Sequence, residues 1–247
     1  DKILAAGKTP IYQPGAAQWH WGCWLGEMTS QTEVDSPGFY AGMNDNSQSF
    51  VDQEGLKIAL DQLVEISEAG YFGDDFMANT WEDMPAKMAS GDYAMGLVYT
   101  TFPAEVEAIN AEMPADSWSM FPIPLNDNKV FGVSAGGLGR CVNKDTKVAD
   151  AALDYLAFLS RPENLQTYYD ARLDLGECSF NDIPGNASAS YADVMANASG
   201  TAFTAEDGIL YWDGTQTGTL VQSLFVGGAS AEDVLKGIDD MRQPNFG

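Results

Sequence analysis

Two prolines, Pro122 and Pro124, interrupt an apolar segment formed by Met120, Phe121, Ile123 and Leu125. Each lacks the N–H that a sheet ladder needs, so this segment cannot be an interior strand. An extended connector between two bodies accommodates both. Downstream, Val130 to Val133 predicts a short strand closed by the turn Gly136-Gly137-Leu138-Gly139, with a second short strand over Arg140 to Val142. Asp145 or Thr146 then caps a helix on which Ala149, Ala152, Leu153, Leu156 and Leu159 recur at helical spacing. Another helix starts around Pro162, which a first turn tolerates.

The same reading covers the rest of the chain. Thr9 to Gln13 and Tyr93 to Tyr99 read as strands. The clearest helix runs from Asp52 to Ala69, with Leu56, Ala59, Leu60 and Leu63 on one side and Gly70 as its stop. Further helices are predicted from Thr80 to Ser90, from Pro103 to Met113, from Tyr211-Trp212-Asp213 to Phe225, and from Ser230 onward. In the last, Ser230 and Asp233 form a capping-box pattern. The alanine- and serine-rich region 186–206 reads as short helices with loops. The opening Asp1 to Gly7 reads as the end of a helix stopped by glycine, so the chain is expected to begin inside an element.

Charge narrows the partners. There are 36 acidic residues against 12 basic ones, a net charge of −24. Nucleic acid needs a basic face, and anionic membrane surfaces do too, so both are disfavoured. The acidity is spread along the chain, consistent with a well-solvated surface or with adaptation to salt. No apolar run approaches the length of about 20 residues that spans a bilayer. Cys23, Cys141 and Cys178 show no paired spacing, leaving open one disulfide plus a thiol or three free thiols.

The single histidine, His20, removes most catalytic options. Gly132-Val-Ser134-Ala-Gly136 matches the nucleophile-elbow pattern, but that chemistry needs a histidine after the serine. The glycine turn at 136–139 lacks the third glycine of a dinucleotide fingerprint and the Lys-Ser/Thr of a P-loop. Asn44 to Ser49 resembles a calcium loop but lacks its central glycine and final glutamate. No catalytic residue, metal ligand or cofactor is predicted. Aromatics carry more information. Trp21 and Trp24 share one helical face, and Trp19 lies on another side near the helix start. Flat indole faces with a free N–H suit a sugar ring.

Residues 121–124 (FPIP), the Gly136-Gly137 turn and residues 155–163 (YLAFLSRPE) resemble, in that order, the second interdomain crossing of a family 1 extracellular solute-binding protein. Residues 70–95, with GYFG, WEDM and MASGDYAM, resemble the same family. The resemblance implies an α/β, periplasmic-binding-protein-like type II fold. Two α/β lobes would be joined by hinge crossings, and the first lobe would be incomplete because its opening segment is missing. It divides the chain into residues 1–120 and 183–247 as one lobe and 121–182 as part of the other, with Leu173 to Pro184 as a third crossing. It also implies an extracellular, lipoprotein or periplasmic receptor that captures a carbohydrate by hinge closure and hands it to the permease subunits of an ABC importer. Contact with a membrane would come only through a lipid anchor or that transporter. Carried over by position, the ligand-binding candidates are Trp19, Trp21, Tyr99, Thr100, Gly136, Gly137, Trp212 and Asp213, with Tyr211 as a rival to Trp212. The alternatives are a surface, adhesion or sensory protein reusing the lobe and, more remotely, a carbohydrate-active hydrolase.

Overall fold

A computed structural model describes residues 1–134, 139–176, 178, 180–185 and 189–246. In chain order its helices are α1 (Lys2–Ala5), α2 (Gln18–Asp35), α3 (Phe39–Asn44), α4 (Glu54–Glu68), α5 (Met84–Ala89) and α6 (Phe102–Ile109). They continue with α7 (Ala149–Leu159), α8 (Pro162–Asp170), α9 (Ala189–Asn197), α10 (Ala205–Gly208), α11 (Gly214–Val226) and α12 (Ala231–Arg242). Strands β1 (Thr9–Tyr12) and β2 (Tyr93–Gly96) pair in parallel, with Thr9 opposite Tyr93 and Ile11 opposite Met95. Strands β3 (Val130–Val133) and β4 (Gly200–Phe203) form a second parallel pair, from Val130 opposite Gly200 to Val133 opposite Phe203.

The centre of the molecule is α2. Trp21, Trp24, Leu25 and Met28 follow the three- and four-residue spacing of one helical face, and all are buried. They join a core built from Leu56, Leu60 and Leu63 of α4, Val221 of α11, and Leu235 and Ile238 of α12. Phe39, Phe50 and Phe72 complete it. Their polar atoms are satisfied, as burial demands: the Trp21 indole N–H donates to the Gly15 carbonyl at 3.0 Å and that of Trp24 to Gln13 Oε1 at 2.8 Å. A smaller cluster gathers Tyr12, Met84, Met88, Phe102 and Val106.

Helices α2 and α11 cross with their backbones touching. A Cβ at Gly22 would overlap the Gly214 carbonyl oxygen, and one at Gly218 would overlap that of Gln18. Only glycine permits this approach. Strand β3 presses against the same helix, since a Cβ at Gly132 would overlap Glu27 Oε2. The Ser30 hydroxyl ties β4 to α2 by donating to the Phe203 carbonyl at 3.0 Å.

Several expectations are corrected. Strand β4 lies in a region read as helices and loops; its four residues, GTAF, are too short for a two-residue period to stand out. Arg140 to Val142 is not a strand: Arg140 and Cys141 are exposed, and no strand pairs with them among the described residues. The expected strand over 93–99 ends at Gly96, beyond which the Leu97 carbonyl bonds to the His20 side chain. Helix α5 starts at Met84 rather than Thr80, although Thr80 Oγ1 does accept from the Asp83 N–H at 3.2 Å. The helix read to Met113 stops at Ile109. By contrast, Ser230 and Asp233 make both bonds of a capping box, and Gly7 and Gly70 take left-handed φ of 74° and 75° at their helix ends. All three cysteines are free. Among the described residues, no helix is long and apolar enough to cross a membrane.

Helix α7 forms where its periodicity predicts but buries no residue, leaving Leu153, Tyr155 and Phe158 exposed. The Arg161 guanidinium lies over the Phe158 ring, 5.5 Å from its centroid.

Candidate functional site

The crossing of α2 and α11 opens a cavity of about 410 Å³. One wall is a stripe along α2, Trp19, Gly22, Cys23, Gly26 and Glu27, at the spacing of three and four that keeps residues on one helical face. The opposite wall is the entry to α11, Trp212 to Thr215, with Thr204 and Glu206 closing the third side. Trp212 packs with one end in the core, its ring 5.8 Å from that of Phe50, and its other end on the glycine at 26. Its indole N–H has no hydrogen-bond partner among the described residues. Trp19 is 42% exposed and stands edge-on to Trp81 at 5.1 Å. Asp213 caps α11, accepting from the Gln216 backbone N–H and Nε2, both at 2.9 Å. That cap fixes where Trp212, one residue earlier, leaves the helix.

Three of the sequence-derived candidates therefore meet: Trp19, Trp212 and Asp213. Trp21 does not join them. It is 0% exposed, with its N–H spent on Gly15 and its ring 4.6 Å from Phe225, so it has no face to offer a ligand. Tyr99 stands nearby through Trp81, whose ring lies 5.9 Å from it, and its hydroxyl bonds to Glu105. Burial and that carboxylate push the phenol up from its ordinary value. Thr100 lines a different, mostly apolar cavity of about 230 Å³ with Trp118, Phe121 and Pro124. Tyr211 turns away, half exposed, against Phe246. Gly136 and Gly137 lie outside the described residues.

Cys23, Glu27, Thr204, Glu206 and Trp81 were not among the site residues expected from the sequence. For Cys23 and Glu27 the signal was present, because they follow Trp19 at four and eight residues on one helical stripe. For Thr204 and Glu206 there was none, since β4, which delivers them, was not foreseen.

The electrostatics are one-sided. Among the described residues no lysine or arginine lines the cavity. Burial pushes the Glu27 carboxyl up to about 7. Burial, reinforced by Glu27 and Glu206, pushes the Cys23 thiol up to about 12, so it stays a neutral thiol. His20 lies behind the wall, buried; burial lowers it to about 4, against the opposing pull of the Leu97 carbonyl. Its Nε2 sits 3.0 Å from that carbonyl, which makes Nε2 the donor, and Nδ1 accepts from Gln13 Nε2 at 3.3 Å. Both its ring nitrogens are thereby engaged by the protein, leaving neither to the exposed Ser134. Among the described residues no group of His, Cys, Asp and Glu is placed to hold a metal.

The mixed α/β frame matches known architecture. The msmE binding protein of Bacillus subtilis, in an open conformation, is similar over 100% of this chain with a TM-score of 0.71 at 14% identity. A protein of Caldanaerobius polysaccharolyticus, solved in work on xylan utilization, gives 0.67 at 20% identity over 98% of the chain. A sugar transporter protein of Bacillus licheniformis in complex with stachyose gives 0.66 at 12% over 98%. The chain spans 62–63% of the length of these structures. The fold is therefore periplasmic-binding-protein-like. Residues 1–197 match the family described as bacterial extracellular solute-binding protein, and the chain belongs to that family. No curated protein sequence matches it.

Proposed function

We propose that the protein captures a carbohydrate in the cavity between α2 and α11, closes a second lobe over it, and presents the closed form to an ABC transporter outside the membrane. The observation that carries this reading is the meeting of Trp19 and Trp212 across a wall with Asp213 and no basic residue. Indole faces stack on the C–H faces of sugar rings, and carboxylates take hydroxyl hydrogen bonds. The titratable carboxyl groups that an anionic solute would meet among the described lining residues, Glu27, Glu206 and Asp213, offer it no positive charge. In this reading residues 1–120 and 183–247 belong to one lobe, and 121–182 hold crossing segments and part of the other. Leu125 and β3 still rest on the first core before the chain crosses. Ligand would favour the closed form by contacting both lobes only there. Gly136 and Gly137 remain proposed as backbone contacts from the second lobe, and Tyr99 as a contact at the cleft edge reached through Trp81.

The test is calorimetric titration of the protein with neutral oligosaccharides such as stachyose and xylotetraose, alongside Trp212→Ala. The variant should weaken binding by at least about tenfold, as loss of one stacking face implies. Unchanged affinity in the variant would remove this cavity as the site. Turnover of the sugar during titration would favour a hydrolase instead.

A further inference from the structure

Glu27 occupies the floor of the cavity, where its Oε2 lies against the Cα of Gly132 so closely that any side chain at 132 would displace it. Thr204 closes on the same spot. No hydrogen bond or ion pair holds the carboxyl among the described residues. The titratable groups facing it are Cys23 of its own helix, Tyr40 of α3, Glu206 of α10 and, across the cavity, Asp213 at the head of α11. Neither β3 (VFGV) nor β4 (GTAF) contributes one. None of these groups is basic, so among the described residues no positive charge offsets one on Glu27.

A carboxylate in such a place is penalised by lost hydration, whereas the neutral acid offers one donor and one acceptor. A sugar hydroxyl is likewise both donor and acceptor. A ligand that fills the cavity strips remaining water from the carboxyl and deepens the penalty on its charge. Resting on the carbohydrate reading above, we propose that Glu27 is a ligand-contacting, specificity-determining residue that binds a sugar hydroxyl as the neutral acid, so that capture weakens as the solution becomes alkaline. The glycine at 132 keeps the carboxyl aimed inward.

The experiment is calorimetric titration of stachyose and xylotetraose at pH about 6 and about 8.5, for the wild type and Glu27→Gln. With a midpoint near 7, the binding-competent fraction falls roughly thirty-fold across that interval, and apparent affinity falls with it. Glu27→Gln keeps donor and acceptor but cannot ionise, so its affinity should stay level between the two pH values. A wild type whose affinity is flat or rises with pH, or a variant that keeps the same pH dependence, overturns the proposal and leaves the carbohydrate reading intact. Absence of binding by either sugar at either pH overturns both. A ligand-free arm reads Glu27 directly: carbon NMR titration should show one side-chain carboxyl resonance with a midpoint near 7 that is missing in Glu27→Gln. A Glu27 midpoint near the ordinary 4.5 overturns the proposal whatever the sugars do.

Discussion

His20 and Glu27 ride the same helix, and burial moves their protons in opposite directions. Folded His20 releases its proton at about 4 against an ordinary 6.5, so the unfolded chain binds that proton first. Its contribution to stability is complete above 6.5 and is lost as pH falls toward 4. Folded Glu27 holds its proton up to about 7 against an ordinary 4.5. Its contribution is complete below 4.5 and is lost as pH rises through 7. Between these limits the two slopes oppose one another. Glu27→Gln should therefore be more stable than the wild type at pH about 8.5, by up to about 3 kcal/mol, with the gain fading below about 5. Urea unfolding at both pH values checks this. A variant destabilised at high pH would mean that Glu27 has a partner in the folded protein.

Among elements, the helices were the legible part. Leucines at 56, 60 and 63 stop at a glycine that turns left-handed, and a Ser-x-x-Asp cap starts α12, so local rules suffice. Strands were harder, because β4 exists through its parallel partner β3, seventy residues away, and four residues carry little pattern of their own. The site divides along the same line. Trp19, Trp212 and Asp213 were carried over by position from the family resemblance, but Trp21, carried over with them, looked equally suitable until the packing placed it inside. The glycines at 22 and 218 gave no hint that each receives the other helix's backbone. That contact leads to a prediction: Gly218→Ala should cost about 1–3 kcal/mol, because its methyl must push Gln18 away or splay the helices. Thr219→Ala, next along α11 and exposed, should change little. Equal midpoints for the two variants in chemical denaturation would contradict the close crossing.

Over the whole molecule, charge is the dominant field. The ion pairs Lys8–Asp92, Lys57–Asp61, Arg172–Asp174 and Lys236–Asp240 are all partly or largely open to water, where such pairs contribute about 0–1 kcal/mol. Against them stands a net −24 that repels itself in the compact state. Screening should relieve that repulsion. Raising sodium or potassium chloride from roughly 0.05 M to about 1 M should lift Tm by on the order of 5 °C. A melting temperature insensitive to either salt would show that the carboxylates already lie far enough apart.

The glycine-to-glycine crossing also acts as a calliper. Trp19 and Trp212 are encoded 193 residues apart, yet the gap between their rings follows from how near two backbones can come. In the proposed function, the width available to a guest is thus written at Gly22 and Gly218, positions a guest need never touch. An alanine at either position would hold the two helices further apart and let those jaws stand wider.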